Sequence, residues 1–370
     1  MKKKILKKKI LCCVQFYHPH VGGSEAVVKT IADYLAKRGH EVHVATRLDP
    51  GRTNDVVDGV IVHGFNLFGS SYYTRIGTQE EIKKYVDFLH RDWDSIFFYA
   101  AQQWSADLIL ENASTIRAKK IFATCGFSGL YIKEFQPYFN KMPDYLSHID
   151  HVVAHSALNR DFAFFGRNNI PCTIVPNGVD LEEFFPRRSS FREAHDLTNK
   201  LLVLFVGSRK RPDLIRAIAL ELPEVQFVVI SHDSAGIDFP GNVRHLLNIP
   251  RGDTIDAFFA ADAFLLPSDY ETFPLVILEA MAAGVPWVSR NCGNVLELPG
   301  GIVLHGRQVD LEKEDTKEVG REMAEVLKDV LANPALKTSL GKAGFKAVVD
   351  RFNWGKILPK YEALICGNCC

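Results

Sequence analysis

Three apolar runs in the second half of the chain, residues 201–206, 225–230 and 263–266, carry almost no polar residue. A strand with one wet face alternates apolar and polar side chains. A near-continuous apolar run marks a strand covered on both faces, and such strands belong to parallel sheets. Helical patterns stand between these runs, at residues 212–220 and 253–261. After the third run come turn residues, then a helix with Pro274 expected at its first position, Gly284 as its stop, and a further strand at 285–289. Strand, loop, helix and strand in this order make a βαβ unit. The expected class is α/β.

The first half repeats the alternation. Strands are expected at 10–17, 41–46, 60–65, 95–100, 120–125 and 151–155, with helices at 26–38 and 79–90. Three helical patterns close the chain, near 311–331, 334–349 and 356–365. A chain of 370 residues exceeds one ordinary core. The Pro-, Arg- and Ser-rich segment 180–200 reads as a linker. Two Rossmann-like, doubly wound parallel-sheet domains facing a cleft are therefore expected. Their bounds are residues 1–185 and 186–350, with 351–370 as a terminal helix. Ligands in such folds bind at the carboxyl ends of the strands.

The charge balance is neutral, 44 basic against 44 acidic residues, which argues against a nucleic-acid partner. No apolar run approaches the roughly 20 residues of a spanning helix. Neither an export signal nor a disulfide framework is read, so a cytoplasmic protein is expected. Cys366-x-x-Cys369, followed by Cys370, has metal or redox spacing, but no second Cys/His pair stands near it, and it reads as a reduced tail. Asp92-Trp93-Asp94 spells a metal-diphosphate motif, yet between a helix and a strand it reads as surface. Six of the first nine residues are Lys, a patch suited to peripheral contact with the anionic inner face of a membrane and equally to a solvated tail.

Residues 267–297 hold the main candidate site. Glu271 lies in the turn and Glu279 inside the following helix, seven residues between them. The helix start between them offers unbonded N–H groups and partial positive charge, which suit an anion. A carboxylate accepts hydrogen bonds from vicinal hydroxyls, so a phosphate-bearing sugar fits both features. The plainer reading is a loop charge and a helix-surface charge. Arg209-Lys210-Arg211 directly follows the strand 201–206, where fixed cations would stabilise a departing diphosphate. Gly22-Gly23 lies between the first strand and first helix, where a glycine pair permits close backbone approach to a ligand or simply a tight turn. The absence of G-x-G-x-x-G disfavours a nicotinamide or flavin site.

Taken together these segments resemble retaining glycosyltransferases of the GT-B fold, family four. The likeness rests on Glu271 and Glu279 with Pro267-Ser268 before them, the Glu279-Ala-Met-Ala-Ala-Gly-Val-Pro286 run, and Gly293 and Glu297 downstream. It also rests on Gly22-Gly23-Ser24-Glu25, Val175-Pro-Asn177-Gly-Val-Asp180, Val206-Gly207-Ser-Arg209-Lys210-Arg211 and Phe352-Asn-Trp354, in order along the whole chain. The resemblance implies a last helix that crosses back to the first domain. It implies Glu279 on the ribose diol, Glu271 on donor-sugar hydroxyls, and the backbone of Thr272, Phe273, Pro274 and Leu275 near sugar and phosphate. Arg209 and Lys210 would neutralise the diphosphate, with Arg211, Gly207, Gly22, Gly23 and Asn177 lining the donor. The basic loop is shorter than the family's, and Cys125-Gly126 stands where members often carry a histidine.

The implied function is transfer of a hexose from a UDP- or GDP-linked sugar to a hydroxyl of a glycan or lipid-linked acceptor, with retention, no metal and no other cofactor. Acceptor recognition is expected in the first domain, including loops 68–77 and 126–145. A nucleotide-sugar epimerase of the same fold, or a non-catalytic sugar-nucleotide-binding protein, are the rival readings.

Overall fold

A computed structural model of the chain describes residues 6–20, 22–70, 76–185, 189–208, 210–304 and 315–367. It divides into two units, one of Met1–Asn177 with Gly355–Cys370 and one of Gly178–Trp354.

In the first unit the elements are β1 (Lys9–Cys13), α1 (Gly23–Lys37), β2 (Glu41–Arg47), β3 (Val56–Val57), β4 (Val60–Phe65), α2 (Gln79–Leu89), β5 (Ser95–Tyr99), α3 (Trp104–Glu111), β6 (Lys119–Ala123), α4 (Gln136–Ser147), β7 (His151–Ala154), α5 (Arg160–Arg167) and β8 (Thr173–Ile174). The eight strands form one sheet in the order β3-β4-β2-β1-β5-β6-β7-β8. Every pairing is parallel except β3 with β4. The second unit runs α6 (Phe191–Ala194), β9 (Leu202–Val206), α7 (Pro212–Glu221), β10 (Gln226–Ser231), β11 (Val243–Leu247), α8 (Arg251–Ala260), β12 (Ala263–Leu266), α9 (Leu275–Ala282), β13 (Trp287–Arg290), β14 (Gly301–Leu304), α10 (Thr316–Ala332) and α11 (Pro334–Asp350). Its six strands are all parallel, in the order β11-β10-β9-β12-β13-β14. The terminal helix is α12 (Trp354–Cys366).

The continuous apolar runs are explained by where alternate side chains go. Leu202 and Leu204 of β9 join one buried cluster with Phe264 and Leu266 of β12. Val203 joins a cluster on the other side with Ala263 and Leu265. Both faces are covered, so neither side of the strand can be polar. Gly284, with φ +71, ends α9 in the left-handed conformation as expected.

Several expectations need correction. The boundary lies at 177/178 rather than 185/186, because Val179 is tied into the second unit: its N–H donates to Phe352 O at 2.9 Å. Phe184, fully buried, packs against Phe258 there, with ring centroids 5.9 Å apart. The second boundary falls at 354/355 rather than 350/351, since the Trp354 N–H donates back to Val179 O at 3.2 Å. The first strand stops at Cys13, and Phe16 and Tyr17 belong to the loop after it. Pro274 is the residue before α9, not its first. Helices α3, α4 and α5 were not expected. Trp104 to Leu110 of α3 are all buried, so no polar face signals a helix. Half of the expected acceptor loop 126–145 is helix α4, and residues 71–75 of the other lie outside the described residues.

The lysine-rich start is described only from residue 6, and Lys8 and Lys9 are engaged by Asp94, at 2.9 Å to the Lys8 Nζ and 2.8 Å to the Lys9 N–H. Among the described residues no helix is long and apolar enough to cross a membrane. Cys369 and Cys370 lie outside the described residues.

Beneath α2, His43 Nδ1 and His63 Nε2 lie 2.8 Å apart, and His43 Nε2 lies 3.2 Å from Glu41 Oε1. Glu41 can only accept, so His43 donates to it and accepts from His63, which leaves no ring nitrogen of His43 open to an added proton. Burial, with His43 beside it, lowers the His63 pKa from 6.5 to about 4. Unfolded His63 therefore binds protons that the folded chain does not, and stability falls as pH drops from 6.5 toward 4. Urea unfolding across that range should show this loss in the wild-type chain and a flatter profile in His63→Gln. An unchanged slope in the variant would contradict the assignment.

Candidate active site

In the second sheet β9 and β12 are neighbours, but the chain leaves β9 toward β10 and leaves β12 toward β13, on opposite sides. The gap between their carboxyl ends is the switch point of the sheet, where such folds form a crevice. The two loops that enter it are residues 207–211 and 267–274.

The loop after β9 begins at Gly207, whose φ of +151 is a conformation side chains disfavour. Its N–H donates to Ile230 O at 2.9 Å, which anchors the loop on β10. Arg209 lies outside the described residues. Lys210 forms an ion pair with Glu271, so the structure joins the two loops through two of the predicted residues. Arg211, at φ +51, directly precedes the Pro212 that opens α7. Its guanidinium is held by Asp213 (2.8 Å) and by Asp269 (2.8 Å), and its Nη2 donates to Thr316 Oγ1 at 3.3 Å. Burial works against the Asp213 charge, but Arg211 holds its carboxyl below the usual range. Asp269 also pairs with the buried Arg290 at the end of β13. This cluster braces the base of the basic loop.

After β12 the chain turns through Glu271 and Thr272 into α9. Gly293 lets the loop after β13 approach closely: at φ +57, a Cβ there would lie 2.7 Å from Glu271 O. Phe273 is turned inward, its ring 5.9 Å from Phe352, so only its backbone is available to a ligand. No side chain caps α9 and no acidic residue stands in its first turn. The N–H groups at its start, next to Pro274 and Leu275, retain their partial positive charge.

Glu279 lies one turn into α9. Its carboxylate pairs with Arg251 at 2.7 Å, and Arg251 also reaches Glu183 at 2.9 Å and lies over the Phe184 ring at 5.6 Å. Burial pushes the Glu279 pKa above the ordinary range, with Arg251 acting against the shift. Burial works against the Arg251 charge too, but Glu279 and Glu183 hold it protonated.

Gly22, Gly23 and Asn177 lie in the first unit. Gly22 caps α1 in an extended conformation, where a Cβ would collide with the Glu25 carboxylate. Nothing lies within 4 Å of a Cβ built on Gly23, so packing does not require glycine there. Asn177 is buried and its Oδ1 has no partner among the described residues. Cys125, at φ +54, is no substitute base: burial raises its thiol to about 11 despite the Tyr99 hydroxyl beside it.

Two family profiles match the chain. The first, described as Glycosyltransferase Family 4, covers residues 21–183, and the second, Glycosyl transferases group 1, covers residues 188–346. The chain belongs to the family-four glycosyltransferases. It is 25% identical to the N-acetyl-alpha-D-glucosaminyl L-malate synthase of Bacillus anthracis over 94% of each chain. It is also 25% identical to the phosphatidyl-myo-inositol mannosyltransferase of Mycobacterium tuberculosis over 96% of each. Among solved structures, sucrose-phosphate synthase from Thermosynechococcus elongatus superposes with a TM-score of 0.78 at 19% identity, covering 97% of this chain and 98% of that one. The fold is GT-B, two parallel-sheet Rossmann-like domains.

For this glycosyltransferase the sequence reading missed Arg251, Asp269 and Arg290. Arg251 left one signal. It is the first residue of α8, where a cation opposes the helix dipole, and such a residue needs a carboxylate elsewhere.

Removing that cation should expose the cost of burying Glu279. In Arg251→Ala the loss is expected at about 1–2 kcal/mol, below the range for fully buried pairs because Arg251 is half-exposed. The sign in pH is the reverse of the usual carboxylate. With its folded pKa raised above 4.5, Glu279 favours folding while protonated, and that contribution is lost as pH rises through the raised value. Urea titrations at about pH 5 and about pH 8 should therefore show a larger deficit at the higher pH. Adding Glu279→Gln should remove the difference; a deficit independent of both would refute the pairing.

Proposed function

We propose that the chain transfers a hexose from a UDP- or GDP-linked sugar to a hydroxyl of a glycan or lipid-linked acceptor, with retention of configuration and without a metal. The observation that carries this is the meeting, at one switch point, of the Lys210–Glu271 pair, the Arg251–Glu279 pair and the uncapped start of α9. On this reading Glu279 accepts from the ribose hydroxyls, and Arg251 keeps it ionised in its buried place. Glu271 accepts from hydroxyls of the sugar. Lys210, with Arg209, draws off to the diphosphate as negative charge develops there, a role in which fixed cations lower the barrier. Backbone N–H groups at the start of α9 and at Gly207 approach the phosphates.

Arg211 acts by bracing, through Asp213 and Asp269, rather than by touching the donor. The acceptor hydroxyl attacks on the face the diphosphate leaves, and the leaving diphosphate takes its proton. No covalent nucleophile is needed in that scheme. Two relatives are named for acidic acceptors, L-malate and phosphatidyl-myo-inositol, and we extend that character to the acceptor here.

The test is mass spectrometry of products from a panel of UDP- and GDP-sugars with cell-envelope lipid extracts and soluble polyols. Glu279→Ala should raise KM for the donor at least about tenfold, the loss of a hydrogen bond to a charged group. Lys210→Ala should lower kcat about a hundredfold while altering KM less. Conversion of the donor sugar without any acceptor product would instead identify an epimerase. Binding without turnover of any donor would leave only a sugar-nucleotide-binding protein.

A further inference from the structure

The loop after β1 and the end of β2 enclose a cavity that the donor chemistry does not use. Its volume is about 350 Å³, and Phe16, Tyr17, His20, Arg47, Asp49 and Arg52 line it. It opens at the carboxyl ends of these strands, the side on which sheets of this kind take their ligands.

Its charge is unbalanced. Two guanidiniums line it against one carboxylate, and among the described residues neither Arg47 nor Arg52 is ion-paired. Arg47 is held by aromatic rings instead, 5.7 Å over Phe16 and 4.9 Å over Phe68. Rings orient a guanidinium without neutralising it. Arg52 donates from Nε to His18 O at 2.9 Å, which aims its fork, while its Nη2 is buried and without a partner. The Tyr17 hydroxyl is likewise buried and unpartnered. The one carboxylate, Asp49, has its Oδ1 taken by the N–H of Gly51 at 2.8 Å. Buried donors without partners are costly and uncommon in folded chains, and the residues that carry these two both line this cavity.

We propose that this cavity binds the anionic group of the acceptor, a phosphate or carboxylate, between Arg47 and Arg52. The planar fork of Arg52 suits a tetrahedral or planar oxyanion. The volume admits a small polar group rather than a long glycan. This inference rests on the glycosyltransferase reading, in which the acceptor is held by the first unit. The anion can come from a soluble phosphorylated or carboxylated polyol, or from the phosphodiester of a lipid headgroup.

Calorimetric titration of inorganic phosphate and of glycerol 3-phosphate into the full chain, at constant ionic strength, tests the site directly. Both should bind, and Arg47→Gln with Arg52→Gln should weaken binding about 10- to 100-fold. Asp49→Asn keeps the acceptor for the Gly51 N–H but removes the negative charge, so it should tighten binding several-fold even if the arginine variants fold poorly. Co-sedimentation with phosphatidylinositol vesicles, against phosphatidylcholine vesicles, separates the sources. Arginine-dependent retention on the former assigns a lipid headgroup. Binding of glycerol 3-phosphate without retention assigns a soluble acceptor. Equal binding of every probe by wild-type and double variant, or a tighter site absent in Asp49→Asn, overturns the proposal. Nucleoside-diphosphate binding is measured in parallel: its absence with phosphate binding intact would sink the donor reading and not this one.

Discussion

Covering both faces of a parallel strand leaves it no polar side, and the placement of chemistry in this protein follows from that. Leu202 and Leu204 of β9 go to one core and Val203 to the other. Burial of each such side chain is worth roughly 1.5–3 kcal/mol. Polar function is thereby confined to the loops at the strand ends, and the loops must be able to approach one another. Gly293 meets that need beside the Glu271 backbone, and Gly207 meets it at the end of β9.

The second constraint is that the charges gathered there are compensated within the chain. Glu271 faces Lys210, Glu279 faces Arg251, and Asp269 lies between Arg211 and Arg290. A buried carboxylate with no cation would bind a proton instead of staying charged. On the proposed function these pairs are also a poised arrangement. A diphosphate offers Lys210 a more highly charged partner than Glu271, which frees Glu271 to accept from sugar hydroxyls. Arg251 differs, because its Nη2 already serves both Glu183 and Glu279 and it holds a charge in place.

Much of the fold was legible because the relevant signal is local. The runs 201–206 and 263–266 and the stop at Gly284 declare themselves within a few residues. Helix α3 did not, since a helix buried on nearly every side has no periodicity to read. The boundary at 177/178 was misplaced because a single backbone pairing, Val179 with Phe352, outweighs the linker-like composition that follows. At the candidate site, the places of Glu271 and Lys210 in loops after strands, and of Glu279 inside the helix that follows, were legible. Their partners were less so: Arg251 lies 28 positions before Glu279 in sequence and meets it only through the packing of α8 beside α9. The two aspartates that hold the Arg211 guanidinium, Asp213 and Asp269, were not legible either, since spacing does not reveal side-chain direction.

The central claim is that the second unit's switch point is a nucleoside-diphosphate site in which Lys210 faces the phosphates. The most direct measurement is calorimetric comparison of UDP and GDP with UMP and GMP, on the wild-type chain and on Lys210→Gln. The account predicts that one diphosphate binds the wild-type chain at least about tenfold more tightly than its monophosphate, and that this preference collapses in the variant. A preference of the same size in both chains, or no diphosphate binding in either, would contradict it.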